Sequence, residues 1–275
     1  MAYFQAHTHS FERGKRTYIM GILNITPDSF SDGGQYTDPQ AAVERASVMV
    51  AQGADLLDIG AQSTRPGAVA ITAEEEIERL SPVLNRLCGA LTVPVSVDTF
   101  FPLTARFALE HGAAVINDVS GTVNEEMVDL AKQYRAGLIV MHNGGGASAT
   151  QTDYPGGVLR AVREFFIASI DRALSLGLPN EQLCLDPGIG FGKSHEENLT
   201  LLRHLRDLNT DVALLTGASR KRVVGIATGE TDPANRAAGT VAAHTAAIAG
   251  GTDFIRVHDV AQAVQGARMA DALYR

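Results

Sequence analysis

Eight short apolar runs recur along the chain, and a longer stretch with helical spacing of apolar residues follows each of them. Continuous runs rich in Val, Ile and Leu are typical of parallel strands covered on both faces, whereas strict alternation would predict a half-exposed antiparallel sheet. The pattern therefore restricts the chain to the α/β class. The eight runs are residues 18–25, 55–60, 94–98, 114–118, 137–142, 183–186, 212–217 and 254–258.

The number of strand–helix units predicts a closed (β/α)8 barrel. Eight units fit into 275 residues, and ~250 residues are typical of this barrel. An open, doubly wound sheet is the alternative, because periodicity predicts the alternation of elements but not the closure of the sheet. No Pro/Gly/Ser-rich linker or charge run divides the chain. We therefore expect a short N-terminal lead-in at residues 1–17 and one barrel domain at residues 18–275.

Two segments between the runs carry clear helix signals. Residues 73–87 follow Thr72, a candidate N-cap, and begin with three glutamates in the turn where the helix dipole favours anions. Residues 158–174 place six apolar side chains on one stripe at helical spacing. The six are Val158, Val162, Phe165, Phe166, Ile170 and Leu174.

Composition and charge exclude several classes of protein. With 45% hydrophobic residues, the chain can bury enough apolar surface to avoid intrinsic disorder. The net charge of −8 argues against nucleic-acid binding and against a polybasic membrane binder. Cys88 and Cys184 form no CxxC pair, which favours a reducing compartment. Because the N-terminus lacks a signal-peptide core and no run reaches the length of a membrane span, we expect a cytoplasmic protein.

Polar residues collect where the predicted strands end. In a barrel these ends share one face, so residues far apart in sequence converge on one cavity. Each residue taken alone is explained equally well as a turn residue or helix cap, but capping requires neither Lys nor Arg in these loops. The residues are Asn24, Thr26–Phe30, Ser63–Gly67, Asp98, Asn117, Asp118, Met141, His142, Asp186–Gly188, Ser219–Lys221, Arg256 and His258.

The cationic members of this set predict an anionic substrate group. Planar arginine forks suit phosphate oxygens, and the whole chain is otherwise acidic. Asn24, together with Asp28 or Asp32 and phosphate oxygens, could hold Mg²⁺, which takes few protein ligands and completes its shell with water and phosphate. The candidate anion-binding residues are Arg65, Lys221, Arg256 and His258.

A second group of side chains predicts recognition of a flat heterocycle. Asp98, Asn117 and Asp186 offer oxygen acceptors that suit a ring with several N–H donors, and Lys221 can donate to a ring carbonyl.

Two further patterns favour a structural interpretation over a functional one, and a third leaves both open. Residues 187–194 resemble a Walker A loop, but Gly188 and Gly192 enclose three residues where that loop needs four, and Lys193 replaces the last glycine of GxGxxG. His7 and His9 are expected in a flexible, solvated terminus rather than in a metal site. Residues 144–146 are three glycines, for which a functional mobile loop and a plain surface loop both stay open.

Seven segments resemble dihydropteroate synthases, in that family's order and through almost the whole chain. The resemblance implies a dimeric (β/α)8 barrel that joins 6-hydroxymethyl-7,8-dihydropterin pyrophosphate to para-aminobenzoate. The products would be 7,8-dihydropteroate and pyrophosphate, in folate biosynthesis. The segments are MGILNITPDSFSDGG (20–34), DIGAQSTRPGA (58–68), SVDT (96–99), INDVSG (116–121), DPGIGFGK (186–193), GASRK (217–221) and RVHDV (256–260).

The resemblance also implies a role for individual residues. It implies that the pterin pocket is formed by Asp98, Asn117, Asp186 and Lys221, with Met141 and Phe191 against the ring. It implies that pyrophosphate is bound by Arg256 and His258, with Thr64 and Arg65 also reaching it, and that Asn24 is the Mg²⁺ ligand. Near para-aminobenzoate it implies Phe30, Pro66 and Ser219, and it makes Asp32 an acid that faces the developing pterin cation. The implied reaction is dissociative and needs no Ser or Cys nucleophile.

Two departures from the family pattern keep alternatives open. Ala61 and Gln62 stand where the family usually has Gly and Glu, and MHNGGG (141–146) stands where it commonly has MHMQG. We expect position 62 to lie exposed in a loop. The departures support a non-catalytic pterin-binding paralogue as one alternative. A pterin-binding methyltransferase-type barrel is the other, although that class has no need of the STRPG, SRK and RVH segments together.

Overall fold

The computed structural model describes residues 2–25, 39–62, 71–144, 153–208 and 210–275. Within those residues eight parallel strands close into a barrel, because β10 (Phe254–Val257) pairs with both β9 (Ala213–Thr216) and β3 (Tyr18–Asn24). The (β/α)8 prediction is therefore confirmed, and the open sheet is excluded. The barrel strands are β3 (Tyr18–Asn24), β4 (Leu56–Gly60), β5 (Val95–Asp98), β6 (Val115–Asp118), β7 (Gly137–Met141), β8 (Leu183–Asp186), β9 (Ala213–Thr216) and β10 (Phe254–Val257).

Helices cover the outside of the barrel. The predicted cap at Thr72 is confirmed as a capping box, in which Thr72 and Glu75 exchange side-chain to backbone hydrogen bonds. None of the helices in the described ranges has the length and apolar character needed to cross a membrane. The helices are α1 (Pro39–Ala51), α2 (Ala73–Ala90), α3 (Pro102–Glu110), α4 (Glu125–Tyr134), α5 (Val158–Ser175), α6 (His195–Arg203), α7 (Arg222–Thr228), α8 (Ala237–Ala249) and α9 (Val260–Tyr274).

The buried stripe of α5 differs from the predicted one at its C-terminal end. The helix itself is confirmed at Val158–Ser175, but Leu174 is 47% exposed. After Phe166 the buried positions are Ser169 and Ala173, spaced by three and four residues. Leu174 lies one residue further round the helix and so faces away from the barrel.

A hairpin that the sequence did not predict closes the N-terminal end of the barrel. Strands β1 (Tyr3–Ala6) and β2 (His9–Glu12) pair antiparallel, and the rings of Phe4 and Phe11 lie 5.4 Å and 5.3 Å from that of Phe254. A side chain at Gly137 would overlap the Phe4 ring. The flexible terminus expected around His7 and His9 is therefore wrong, because His9 lies in β2 and His7 in the turn before it, although His7 is exposed as expected. The Phe4 and Phe11 side chains are buried and fill the base of the barrel.

Candidate active site

Strand alternation carries the predicted polar residues into the barrel. Side chains two residues apart on a strand point to the same face. Phe254 belongs to the interior cluster at the base of the barrel, so Arg256 on the same strand also faces inward. Three other strands show the same relation, since an interior residue lies two positions before each predicted site residue. The pairs are Val115 and Asn117, Cys184 and Asp186, and Ile139 and Met141. On β5 the outward-facing Val95 and Val97 leave Ser96 and Asp98 facing inward.

A buried ion-pair cluster joins four of these strands. Arg256 donates from Nε to Asp58 Oδ2 at 2.6 Å and from Nη2 to Asp98 Oδ2 at 2.7 Å. Asn117 Nδ2 also donates to Asp58 Oδ2, at 2.9 Å. Asp58 is fully buried, and a buried carboxylate of this kind requires the partners that it has here. Three predicted residues, Arg256, Asp98 and Asn117, are thus brought together by one that was not predicted.

Asp58 is the residue that sequence reasoning missed. It lies in the middle of the apolar run 55–60, where a charged side chain is conspicuous. It also follows Leu56 by two residues, and Leu56 belongs to the interior cluster. Strand parity therefore indicated that Asp58 faces the barrel interior, next to the strand-end residues. The sequence signal for this residue is its charge within an apolar run.

The acidic groups at the mouth have unusual protonation equilibria. Burial raises the pKa of Asp98 to about 7, with Arg256 opposing the shift and the carboxylates of Asp58 and Glu76 adding to it. Burial also raises the pKa of Asp186, against the effect of Lys221 and of the Gly188 amide, which donates to Asp186 Oδ1 at 2.7 Å. Both carboxyl groups are acceptors of hydrogen bonds when ionised.

Lys221 and Phe191 meet at the same mouth. The Lys221 ammonium donates to the carbonyl oxygen of Ile189 and lies 4.5 Å from the centroid of the Phe191 ring, within the range of a cation–π contact. Burial lowers the pKa of Lys221 to about 8, and Asp186 opposes that shift. A Cβ on Gly190, at φ +86°, would lie 3.0 Å from Lys221 Cδ. Glycine at that position therefore gives the lysine side chain its room.

The loops after β9 and β10 are tied together. Ser219 Oγ accepts from the His258 backbone N–H at 3.1 Å and lies 3.0 Å from His258 Nδ1. Arg220, at φ +58°, makes a bidentate pair with Asp259 at 2.5 Å and 2.9 Å. These contacts fix the loop that carries Lys221 against the strand that carries Arg256. The structure thus places Ser219 against His258.

Asn24 lies at the end of β3, opposite Gly60. A Cβ on Gly60 would lie 3.6 Å from Asn24 Oδ1 and 3.7 Å from Asp98 Oδ2, so the glycine leaves space beside both oxygens. Across the described ranges, no three His, Cys, Asp or Glu side chains form a metal-binding group. One amide oxygen beside a glycine fits Mg²⁺ only where phosphate and water supply the other ligands.

Several predicted residues lie outside the described part of the chain, in residues 26–38 and 63–70. For these residues the sequence prediction stands without a structural description. They are Asp28, Phe30, Asp32, Thr64, Arg65 and Pro66.

Comparison with known proteins supports the resemblance drawn from the motifs. The family described as pterin binding enzyme matches residues 20–258. The dihydropteroate synthase of Synechocystis sp. is 47% identical over 269 residues, which cover 96% of this chain and 93% of the relative. The chain belongs to the dihydropteroate synthase family.

Solved structures of dihydropteroate synthases share the fold described above. The Clostridium difficile enzyme, crystallised in the presence of pteroic acid, aligns with a TM-score of 0.90 at 42% identity and covers 96% of this chain and 99% of that one. The Xanthomonas albilineans enzyme with 4-aminobenzoic acid aligns with a TM-score of 0.87 at 43% identity. The alignment covers 94% of this chain and 93% of that one. These neighbours confirm the barrel of the dihydropteroate synthase family for this chain.

The two departures from the dihydropteroate synthase pattern have structural settings of their own. Ala61 is buried, and its carbonyl oxygen accepts from Arg79 at 3.1 Å. The Gln62 Oε1 atom is buried without a hydrogen-bond partner among the described residues, so the expected exposed position is wrong for that atom. Asn143 is buried and donates to the Val119 carbonyl at 2.6 Å, which ties the loop after β7 to the loop after β6.

Proposed function

We propose that this protein is a dihydropteroate synthase that joins 6-hydroxymethyl-7,8-dihydropterin pyrophosphate to para-aminobenzoate in folate biosynthesis. The observation that carries this proposal is the convergence of Asp98, Asn117, Asp186, Lys221 and Arg256 at one barrel mouth. Acceptors for a flat ring lie beside cations for an anionic leaving group. The synthase relatives crystallised in the presence of pteroic acid, in which a pterin is joined to 4-aminobenzoic acid, and with 4-aminobenzoic acid itself support this reaction.

Recognition of the pterin uses the acceptors of the strand ends. Because the Asn117 amide nitrogen is engaged by Asp58, its oxygen remains to accept from a ring N–H. The carboxylates of Asp98 and Asp186 accept from further ring donors, and Lys221 donates to a ring acceptor. Met141 and Phe191 contribute apolar contact to the ring, as the resemblance implies.

The chemistry follows from charge placement. The bond between the pterin methylene carbon and the pyrophosphate oxygen breaks, and the leaving group carries away the electron pair. Arg256 and His258 stabilise the charge that develops on the pyrophosphate. The methylene cation left behind is stabilised by the ring and by the nearby Asp98 carboxylate. The amine nitrogen of para-aminobenzoate then forms the new C–N bond and loses a proton, so the enzyme supplies no covalent nucleophile.

A magnesium ion is part of this proposal. Asn24 Oδ1 would supply one protein ligand beside the space at Gly60, with the pyrophosphate oxygens and water completing the shell. When bound, Mg²⁺ would neutralise charge on the leaving group. Asn24 itself holds that position because β3 ends there, opposite β4.

A homodimer in the cytoplasm completes the proposal. Met269, Leu273 and Tyr274 on α9 are exposed large apolar side chains, which support an α9-containing contact between two copies. Both cysteines are free thiols, in keeping with a reducing compartment. Sedimentation velocity would test the assembly. A monomer at micromolar protein concentration would contradict the proposed homodimer.

One assay separates the synthase from its two alternatives. The protein receives pterin pyrophosphate, para-aminobenzoate and Mg²⁺, and pyrophosphate release is measured with and without the amine. A synthase releases pyrophosphate in step with dihydropteroate formation. Pterin binding without release would favour the non-catalytic paralogue, and methyl transfer from a methylated folate would favour the methyltransferase-type barrel. Lys221→Ala, checked for folding by circular dichroism, serves as the control for a folded protein with an impaired site.

A further inference from the structure

Lys193 ends the glycine-rich segment 186–193, and the proposed reaction gives it no role. Its side chain is buried, with 7% of the residue exposed. The ammonium donates to three backbone carbonyl oxygens: that of His142 at 3.1 Å, of Gly188 at 2.9 Å and of Phe191 at 2.9 Å. The first belongs to the loop after β7 and the other two to the loop after β8. One side chain therefore joins two neighbouring loops at the barrel mouth.

The junction is built for an ammonium group. Three carbonyl oxygens are acceptors only, and a protonated lysine has three N–H donors to match them. The space is narrow, because a Cβ on Gly188, at φ +67°, would overlap the His142 carbonyl oxygen and lie 3.2 Å from Lys193 Nζ. The glycine thus lets the two loops approach, and the lysine satisfies the carbonyls that this approach buries.

A second layer of hydrogen bonds holds the lysine backbone in place. Asn198 on α6 accepts from the Gly190 N–H at 2.6 Å and donates to the carbonyl oxygens of Lys193 at 3.2 Å and Ser194 at 2.7 Å. Asn198 is itself buried. The loop after β8 is therefore fixed from the helix side by Asn198 and from the β7 side by Lys193.

The residues fixed in this way are those that line the proposed pterin pocket. Met141 immediately precedes His142, whose backbone N–H donates to the Asp186 carbonyl at 2.9 Å. Phe191 supplies one of the three carbonyls, and its ring lies beside Lys221. A shift of either loop would move Met141, Asp186 or Phe191 relative to the others.

We propose that Lys193 is a positioning residue for pterin binding: its ammonium joins the loops after β7 and β8 and so sets the spacing of Met141, Asp186 and Phe191. This inference rests on the proposed function, because it assumes that the pocket binds a pterin. Lys193 acts through the backbone and need not contact the ligand.

The test uses Lys193→Met, which keeps an unbranched side chain one heavy atom shorter and removes all three donors. Lys132→Met is the matched control, because Lys132 on α4 also donates to a distant backbone carbonyl, that of Leu176 at the end of α5, at 2.8 Å. Unlike Lys193, Lys132 is exposed. Two quantities are measured on the full-length protein: deuterium exchange of the loops after β7 and β8, and the Kd for 6-hydroxymethyl-7,8-dihydropterin.

We expect Lys193→Met to speed exchange in both loops and to raise the pterin Kd at least tenfold, whereas Lys132→Met changes neither by more than twofold. A purely structural role of Lys193 would lower the melting temperature of Lys193→Met and leave the Kd of the folded protein unchanged. Lys193→Gln, which keeps an N–H₂ group at shorter reach, provides the same comparison if the methionine variant does not fold.

The pH dependence of the two Kd values gives an independent check. Burial lowers the pKa of Lys193 to about 7, with Asp186 and Glu197 opposing the shift and Lys221 adding to it. The neutral amine has two N–H donors, so the wild type loses one loop contact as pH rises. The ratio of the Lys193→Met Kd to the wild-type Kd should therefore fall between pH 6 and pH 9. The burial of His142, whose pKa is lowered to about 3, keeps it neutral over this range.

An unchanged Kd in Lys193→Met, whether or not exchange becomes faster, with a wild type that binds pterin, would overturn this inference alone. A wild type that binds no pterin would overturn the proposed function, and the inference would fall with it.

Discussion

The substitution Asp58→Asn probes the buried cluster most directly. Asp58 is 0% exposed, and its Oδ2 atom accepts charge-assisted bonds from Arg256 and Asn117. Breaking a buried pair costs ~3–5 kcal/mol in unfolding free energy. An asparagine retains one acceptor oxygen, which offsets part of that loss, so we expect a decrease of about 3 kcal/mol. Urea unfolding followed by circular dichroism measures this quantity, since the chain has no Trp.

The same substitution should also change the protonation of the site. The negative charge of Asp58 contributes to the raised pKa of Asp98, although burial is the larger cause. Without that charge, Arg256 pairs with Asp98 alone, and the pKa of Asp98 falls below about 7. Pterin affinity is expected to rise with pH as Asp98 ionises, and we call this rise the acid limb. The acid limb should therefore move to lower pH in Asp58→Asn.

Asp55→Asn is the matched control for Asp58→Asn. Asp55 makes a bidentate pair with Arg16 at 2.6 Å and 3.0 Å, but the Arg16 side chain is 51% exposed. We expect no change in the acid limb of pterin binding and a smaller loss of stability, since exposed pairs contribute little. The reasoning is refuted if Asp58→Asn loses less than ~1 kcal/mol, the scale of an exposed pair, and its acid limb does not move.

Three further predictions concern pH, the base of the barrel and the metal. Pterin affinity should rise with pH through about 7, as Asp98 ionises, and fall above about 8, as Lys221 loses its proton. Calorimetric titration measures both limbs, and an acid limb that persists in Asp98→Asn would contradict the assignment. Phe4→Ala should lower the unfolding free energy by ~3–5 kcal/mol while kcat stays within twofold, and a large change in kcat with intact stability would count against a purely structural plug. Removal of Mg²⁺ should weaken binding of the pterin pyrophosphate far more than that of the pterin alcohol. Asn24→Ala should abolish most of that difference, and an undiminished metal effect in this variant would exclude Asn24 as the ligand.

The barrel itself was predictable because its signal is repeated eight times. All eight predicted strands are present, and β8 (Leu183–Asp186) matches its predicted bounds at both ends. Closure required more than periodicity, since it depends on the pairing of β10 with β3 across the length of the chain. The number of strand–helix units and the motif resemblance supplied that expectation, and the hydrogen-bond register confirms it.

Parts of the site and of the N-terminus were harder to predict. Strand ends placed Asp98, Asn117, Asp186 and Arg256 at one mouth, but ion pairing between Arg256 and Asp58 depends on side chains that meet across the barrel. The β1–β2 hairpin has strands of four residues each, too short for a clear alternation, and its stability comes from packing on Phe254. The exposure of Leu174 was misjudged because an apolar residue at the end of a helical stripe can fall on either side of the boundary.

The hairpin at the base of the barrel makes the order of synthesis matter. Phe4 and Phe11 leave the ribosome well before their partner Phe254, which belongs to the last strand of the barrel. Arg13 pairs with Asp253, 240 residues later, and Thr17 bonds Asp271, 254 residues later. Such contacts carry the full entropic cost of closing the longest loops in the chain. The hairpin aromatics can therefore be buried only after β10 has been synthesised, and until then they are available to chaperones or to other nascent chains.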